Sequence, residues 1–105
     1  MSKTALRNSH QKRQLKIRLS HGHTHVNCCF CKRRIAIEKA TIEHIVPLAL
    51  NGGWAIENLA LSCFTCNNDR GVADFIEYRK WRRGQTKDKP NTTMLYEETL
   101  IQESA

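Results

Sequence analysis

A small α+β fold with flanking helices, stapled around four cysteines, is what the sequence predicts. Three observations carry that expectation. The chain has 105 residues, enough for one core and too few for two. Two Cys-x-x-Cys pairs, Cys28–Cys31 and Cys63–Cys66, frame its centre. Between and after them, short β-branched runs give way to turn residues and then to helix formers.

Along the chain, residues 4–19 lack Gly and Pro and are rich in Lys, Arg and Gln, which favours a helix, although the spacing of Leu15, Ile17 and Leu19 would also suit a strand. Residues 20–27 read as a polar connector into the first cysteine pair. Residues 40–46, ATIEHIV, read as a strand stopped by Pro47. Asn51-Gly52-Gly53 marks a loop, and residues 57–62, ENLALS, a second short strand. A helix is expected to start near Phe64, carry Asn67 and stop at Gly71. Asp74 to Arg83 reads as another helix, with Phe75, Tyr78 and Trp81 near one face. Gly84 onward is polar and gives no reason to fold for most of its length. The expected division is a basic arm over 1–25, a core domain over 26–84 and a tail over 85–105.

No run approaches the ~18 apolar residues that a membrane-spanning helix needs. The N-terminal residues lack the apolar stretch of a secretory signal, so a cytoplasmic protein is expected. In that setting five cysteines, an odd number, argue against a full disulfide set. Cys28, Cys31, Cys63 and Cys66 suit four thiolates around one Zn²⁺, with Cys29 left over. Charge is uneven: residues 1–37 hold nine Lys or Arg and no acid, within a net charge of +7. Such a basic third fits a polyanionic partner or a merely solubilising arm. Lys12, Arg13, Arg33 and Arg34 are the candidate nucleic-acid contacts there.

Within the cysteine frame lie residues with a common chemistry. Glu43 and Asn67 offer hard oxygens suited to Mg²⁺ or Mn²⁺. His44 beside them can take a proton from water near neutral pH. Because neighbours on a strand point to opposite faces, Glu43 should face a metal and His44 a water. These are the parts of metal-assisted phosphodiester hydrolysis.

The ordered pattern Cys-x2-Cys, Glu43-His44-Ile45-Val46-Pro47-Leu48, Asn51-Gly52-Gly53-Trp54, Glu57-Asn58-Leu59 and Cys63-x2-Cys66-Asn67-x2-Arg70-Gly71 resembles the HNH endonuclease family over residues 26–71. The resemblance implies a ββα-metal (His-Me finger) fold. It implies His44 as general base, Asn58 as the residue steadying it, and Glu43 and Asn67 as ligands of the catalytic cation. It also implies DNA as substrate and products with 5′-phosphate and 3′-hydroxyl ends. Two departures stand out. Glu43 is longer by a methylene than the Asp more usual there, and Gly71 stands where some relatives carry a further histidine.

Other residues carry less. Arg70 would touch the scissile phosphate or project into solvent. Arg79, Lys80, Arg82 and Arg83 would grip backbone phosphates or form a solvated face. His21, His23 and His25 invite a second metal reading but fit a polar linker better. Trp54 is expected to shield its loop, and Phe75, Tyr78 and Trp81 to be core. The expected function is a metal-dependent DNA nickase of weak sequence specificity, monomeric or dimeric, of phage or mobile-element kind. The competing readings are a zinc-stabilised nucleic-acid-binding module without cleavage, and a nuclease subunit active only within a larger complex such as phage packaging machinery.

Overall fold

The computed structural model describes residues 8–92. Helix α1 (Ser9–Leu19) opens with a reciprocal cap: the Asn8 side chain accepts from the Gln11 amide, and the Gln11 side chain accepts from the Asn8 amide. It ends where His21 and Gly22 both take positive φ. No residue of α1 is buried, so the helix rests on the molecule's surface, chiefly through Leu19.

Two antiparallel hairpins follow. Strands β1 (His25–Asn27) and β2 (Arg34–Ala36) pair with Val26 opposite Ile35. Their loop is the first cysteine knuckle, closed by the Cys28 amide on Arg33 O and by Lys32 in the left-handed region. This hairpin replaces the polar connector expected over 20–27. Each strand has only three residues, too few to show alternation in the sequence.

Strands β3 (Thr41–His44) and β4 (Leu59–Ser62) form the second hairpin, with Glu43 opposite Ala60 and His44 opposite Leu59. The first two residues of the expected second strand, Glu57 and Asn58, belong instead to a 3₁₀ turn, Ile56–Asn58. Helix α2 (Phe64–Arg70) leaves β4 directly, capped by the Cys63 sulfur and ended at Gly71. Helix α3 (Phe75–Arg82) is capped by Asp74.

The core joins these pieces. Fully buried Phe30, from the first knuckle, meets Phe75 at 5.0 Å and Tyr78 at 4.9 Å between ring centroids. The Cys29 amide bonds to Leu61 O, tying the first knuckle to β4. Past α3 the chain is not left loose at once. Lys89 pairs with Asp69 at 2.7 Å, and Thr92 O accepts from the Val72 amide. The rest of the expected tail lies outside the described residues.

Candidate active site and metal centre

Four sulfurs converge where the knuckles meet. Those of Cys28, Cys31, Cys63 and Cys66 all lie within 4.8 Å of one another. Cys31 Sγ and Cys63 Sγ stand 3.9 Å apart, against an edge of roughly 3.8 Å for a tetrahedron of thiolates at ~2.3 Å from zinc. Three of the four are buried, and backbone amides of Phe30 and Cys66 already donate to Cys28 Sγ and Cys63 Sγ. The donor set therefore fits a soft cation. The neighbouring Cys29 thiol holds Cys28 down to about 3, whereas burial pushes Cys66 up to about 12. Without a cation, a crowded group of sulfurs concentrates its negative charge on one member and keeps protons on others. Cys29 stays outside the cluster, and its own proton is held more tightly by the bond to Cys28.

Two arginines of α3's end serve this centre from outside. Arg82 Nε donates to Cys66 Sγ at 3.3 Å, and Arg83 donates to Phe30 O at 2.9 Å and Cys29 O at 3.0 Å. Arg79 lies over the Phe75 ring. Three members of the basic cluster expected on phosphates or in solvent thus make contacts within the molecule, Arg79 and Arg83 half-buried and Arg82 still exposed.

The other site sits on β3, β4 and α2. Glu43 is only 3% exposed. Its Oε2 accepts from Ser62 Oγ at 3.0 Å and Asn67 Nδ2 at 2.7 Å. Its Oε1 accepts from Arg70 Nη1 at 2.6 Å. Arg70 is itself 1% exposed. It donates further to His44 O, Ile45 O and Ala73 O at 2.6, 2.7 and 2.7 Å. Arg70 therefore neither projects into solvent nor stands free for a phosphate. It latches the end of β3 to α2 and to the turn before α3. A guanidinium suits this task because its fork serves four acceptors at once.

Both Glu43 oxygens are thus engaged within the fold, Oε2 by Ser62 and Asn67 and Oε1 by Arg70. Glu43 and Asn67 touch on the wall of an open cleft of about 320 Å³ that also includes His44 and Asn68. The Asn67 amide turns its nitrogen to Glu43 Oε2, while Arg70 holds Oε1.

His44 leaves β3 on the other face, as alternation requires. Its ring meets Trp54 edge-on at 4.4 Å between centroids. Nε2 is enclosed and finds no hydrogen-bond partner among the described residues, although the residue is partly exposed. Burial first, then Arg70 and Lys12, hold its pKa below the usual histidine value. The imidazole therefore favours its neutral form near pH 7.

Asn58 closes the loop beside it. Its Oδ1 accepts from the Val46 amide at 2.8 Å. Its Nδ2 donates to Val46 O at 3.1 Å and Gly53 O at 2.9 Å. Its backbone carbonyl accepts from the Ile45 amide. Gly52 is required in this loop, since a Cβ there would lie 1.7 Å from Val46 O.

Lys12 and Arg13 are exposed on α1, on the His44 side of the molecule. Arg33 and Arg34 are exposed on the first hairpin. His21, His23 and His25 are all exposed, and among the described residues the four cysteines form the one group able to hold a metal. The sequence hides the burial of Arg70 and the contacts that Arg82 and Arg83 make to the cysteine knuckles. A cation three residues after Asn67 looks like any solvent-facing helix position until the fold supplies a buried carboxylate.

A β-hairpin running into a helix, closed by a four-cysteine cluster, defines a ββα-metal domain. Residues 28–72 match the family model for HNH endonuclease. No curated protein and no solved structure matches the chain.

Proposed function

We propose that the chain is a divalent-metal-dependent DNA endonuclease that nicks one strand at a time. The observation that carries this reading is the grouping of Glu43, Asn67, His44 and Asn58 about one hairpin and helix, within an HNH domain. Glu43 and Asn67 would hold Mg²⁺ or Mn²⁺, and the four cysteines Zn²⁺. The catalytic cation would neutralise charge on the phosphoryl group and on the departing 3′ oxygen.

The chain's own residues would do the rest. His44 takes a proton from a water whose oxygen forms the new bond to phosphorus. The bond from phosphorus to the 3′ oxygen breaks, and that oxygen recovers a proton from solvent. The products carry 5′-phosphate and 3′-hydroxyl ends. Asn58 fixes the loop that carries Trp54 against the His44 ring, and Arg70 fixes the strand end itself. Lys12, Arg13, Arg33 and Arg34 would neutralise backbone phosphates, which gives affinity without sequence preference.

The test is relaxation of supercoiled plasmid by zinc-loaded protein with Mg²⁺ or Mn²⁺. General-base loss costs ~10²–10⁴-fold in rate, so His44→Ala is expected to fall by at least that lower figure. Equal cleavage by His44→Ala, or no cleavage of either plasmid or single-stranded DNA by the wild type with any divalent cation, would remove the reading.

A further inference from the structure

We propose that the cleft between α1 and β3 seats one or two unstacked bases of single-stranded DNA beside the phosphate to be cut, so that the substrate is single-stranded or frayed DNA and not intact duplex. The position of that phosphate rests on the nuclease reading; the cleft's own chemistry does not.

The cleft holds about 760 Å³, within the ~300–1,000 Å³ range of sites that enclose a small ligand. Its two sides differ. Along α1 stand Lys12, Arg13 and Lys16 with Ile17 beside them; Lys12 and Lys16 lie one turn apart on the same helix face, and Lys16 Nζ reaches Glu38 O at 3.5 Å. Opposite them Ile37, Ile42, Leu48 and Trp54 supply an apolar floor. Among the described residues Glu38 is the one acid at its edge, against three cations.

A duplex answers only half of this. It presents phosphates outward and keeps its bases stacked behind them, so it would satisfy the cations and leave the apolar floor wet. A strand with free bases answers both halves. Its phosphates lie along α1 and its base faces cover Ile42, Leu48 and Trp54, the combination of cationic track and apolar or aromatic platform that single strands use. The placing relative to the chemistry follows. His44 and Leu48 belong both to this cleft and to the one containing Glu43 and Asn67. A strand lying through both clefts crosses His44 between them.

The experiment uses the full-length, zinc-loaded protein without added divalent cation. In the Trp81→Phe chain the emission comes from Trp54 alone. A short single strand of mixed sequence and its duplex are titrated in turn, with anisotropy of labelled DNA read on the wild type in parallel. The single strand is expected to quench Trp54 and to bind at least tenfold tighter than the duplex. The double variant Lys12→Glu, Lys16→Glu should lose at least tenfold of that affinity at unchanged zinc content. Duplex binding as tight as single-strand binding, or emission unmoved at saturation, would overturn the proposal. The wild-type anisotropy decides the matter even if Trp81→Phe unfolds. Cleavage with Mg²⁺ is scored separately on both DNAs. Strand-selective binding with neither DNA cut removes the nuclease reading and leaves the cleft. Duplex cut as fast as single strand removes the cleft proposal and leaves the nuclease.

Discussion

Glu43 and His44 are neighbours in the chain, yet their side chains serve opposite faces of β3. One is locked among Ser62, Asn67 and Arg70; the other leans on Trp54. The alternation rule makes that division legible from sequence. The role of Arg70 is not legible there, because no local pattern says which cations turn inward. Its burial gives a sharp expectation. Removing one member of a buried ion pair costs about 3–5 kcal/mol, so Arg70→Met should lose that much in denaturant unfolding. Arg70→Lys keeps the charge and loses the fork, and should fall between Arg70→Met and wild type. A variant within about 0.5 kcal/mol of wild type, the range of an ordinary surface change, would show that the latch has no such weight. His44 gives a second expectation. Its pKa is held below 6.5, chiefly by burial and then by Arg70 and Lys12. A base must be unprotonated, so the acid limb of the rate profile should lie below pH 6.5. Lys12→Gln removes one positive neighbour, lets the proton bind more readily, and should move that limb upward. A limb unmoved or displaced downward would remove Lys12 from the site's electrostatics.

At the scale of elements, helices are easier to read than strands. α2 and α3 announce themselves through Cys63, Asp74 and Gly71 at their ends. The β1–β2 hairpin leaves no trace in the sequence, since three residues a side are set by knuckle hydrogen bonds and not by hydrophobic period. Glu57 and Asn58 of the 3₁₀ turn Ile56–Asn58 likewise read as strand, because they run without a break into the apolar residues of β4. The loop between β3 and this turn depends on one side chain. Asn58→Asp keeps the acceptor for the Val46 amide but drops both donations, to Val46 O and Gly53 O. Two hydrogen bonds at ~0.5–1.5 kcal/mol each set a cost of about 1–3 kcal/mol. Thermal unfolding should show it. Nicking should fall by more than the unfolded fraction explains, because the Trp54 wall against His44 loosens. A stability loss with the specific activity of the folded protein intact would restrict Asn58 to scaffolding.

For the whole molecule, the described core is small, and the knuckles bring its key parts together: Phe30 arrives on the first and α2 leaves from the second. The paired spacing of cysteines makes this centre readable from sequence alone. The arginines that brace it from α3 are not readable in that way, for the same reason as Arg70. If thiolate-bound zinc supplies folding energy, as it does in small metal-stapled domains, a chelator at neutral pH should abolish the far-UV signal and the cooperative melt. Cys29→Ser should retain one zinc per chain, whereas Cys66→Ser should not. A chelated chain that melts as before would show the core to be sufficient alone. The Arg70–Glu43 pair has one more consequence. With Glu43 already cancelled, the pocket greets a dication with no net charge of its own. Under the nuclease reading the missing negative charge must come in with the phosphodiester, so cofactor and substrate raise each other's affinity by the same factor. A chain with no strand aboard then idles unarmed.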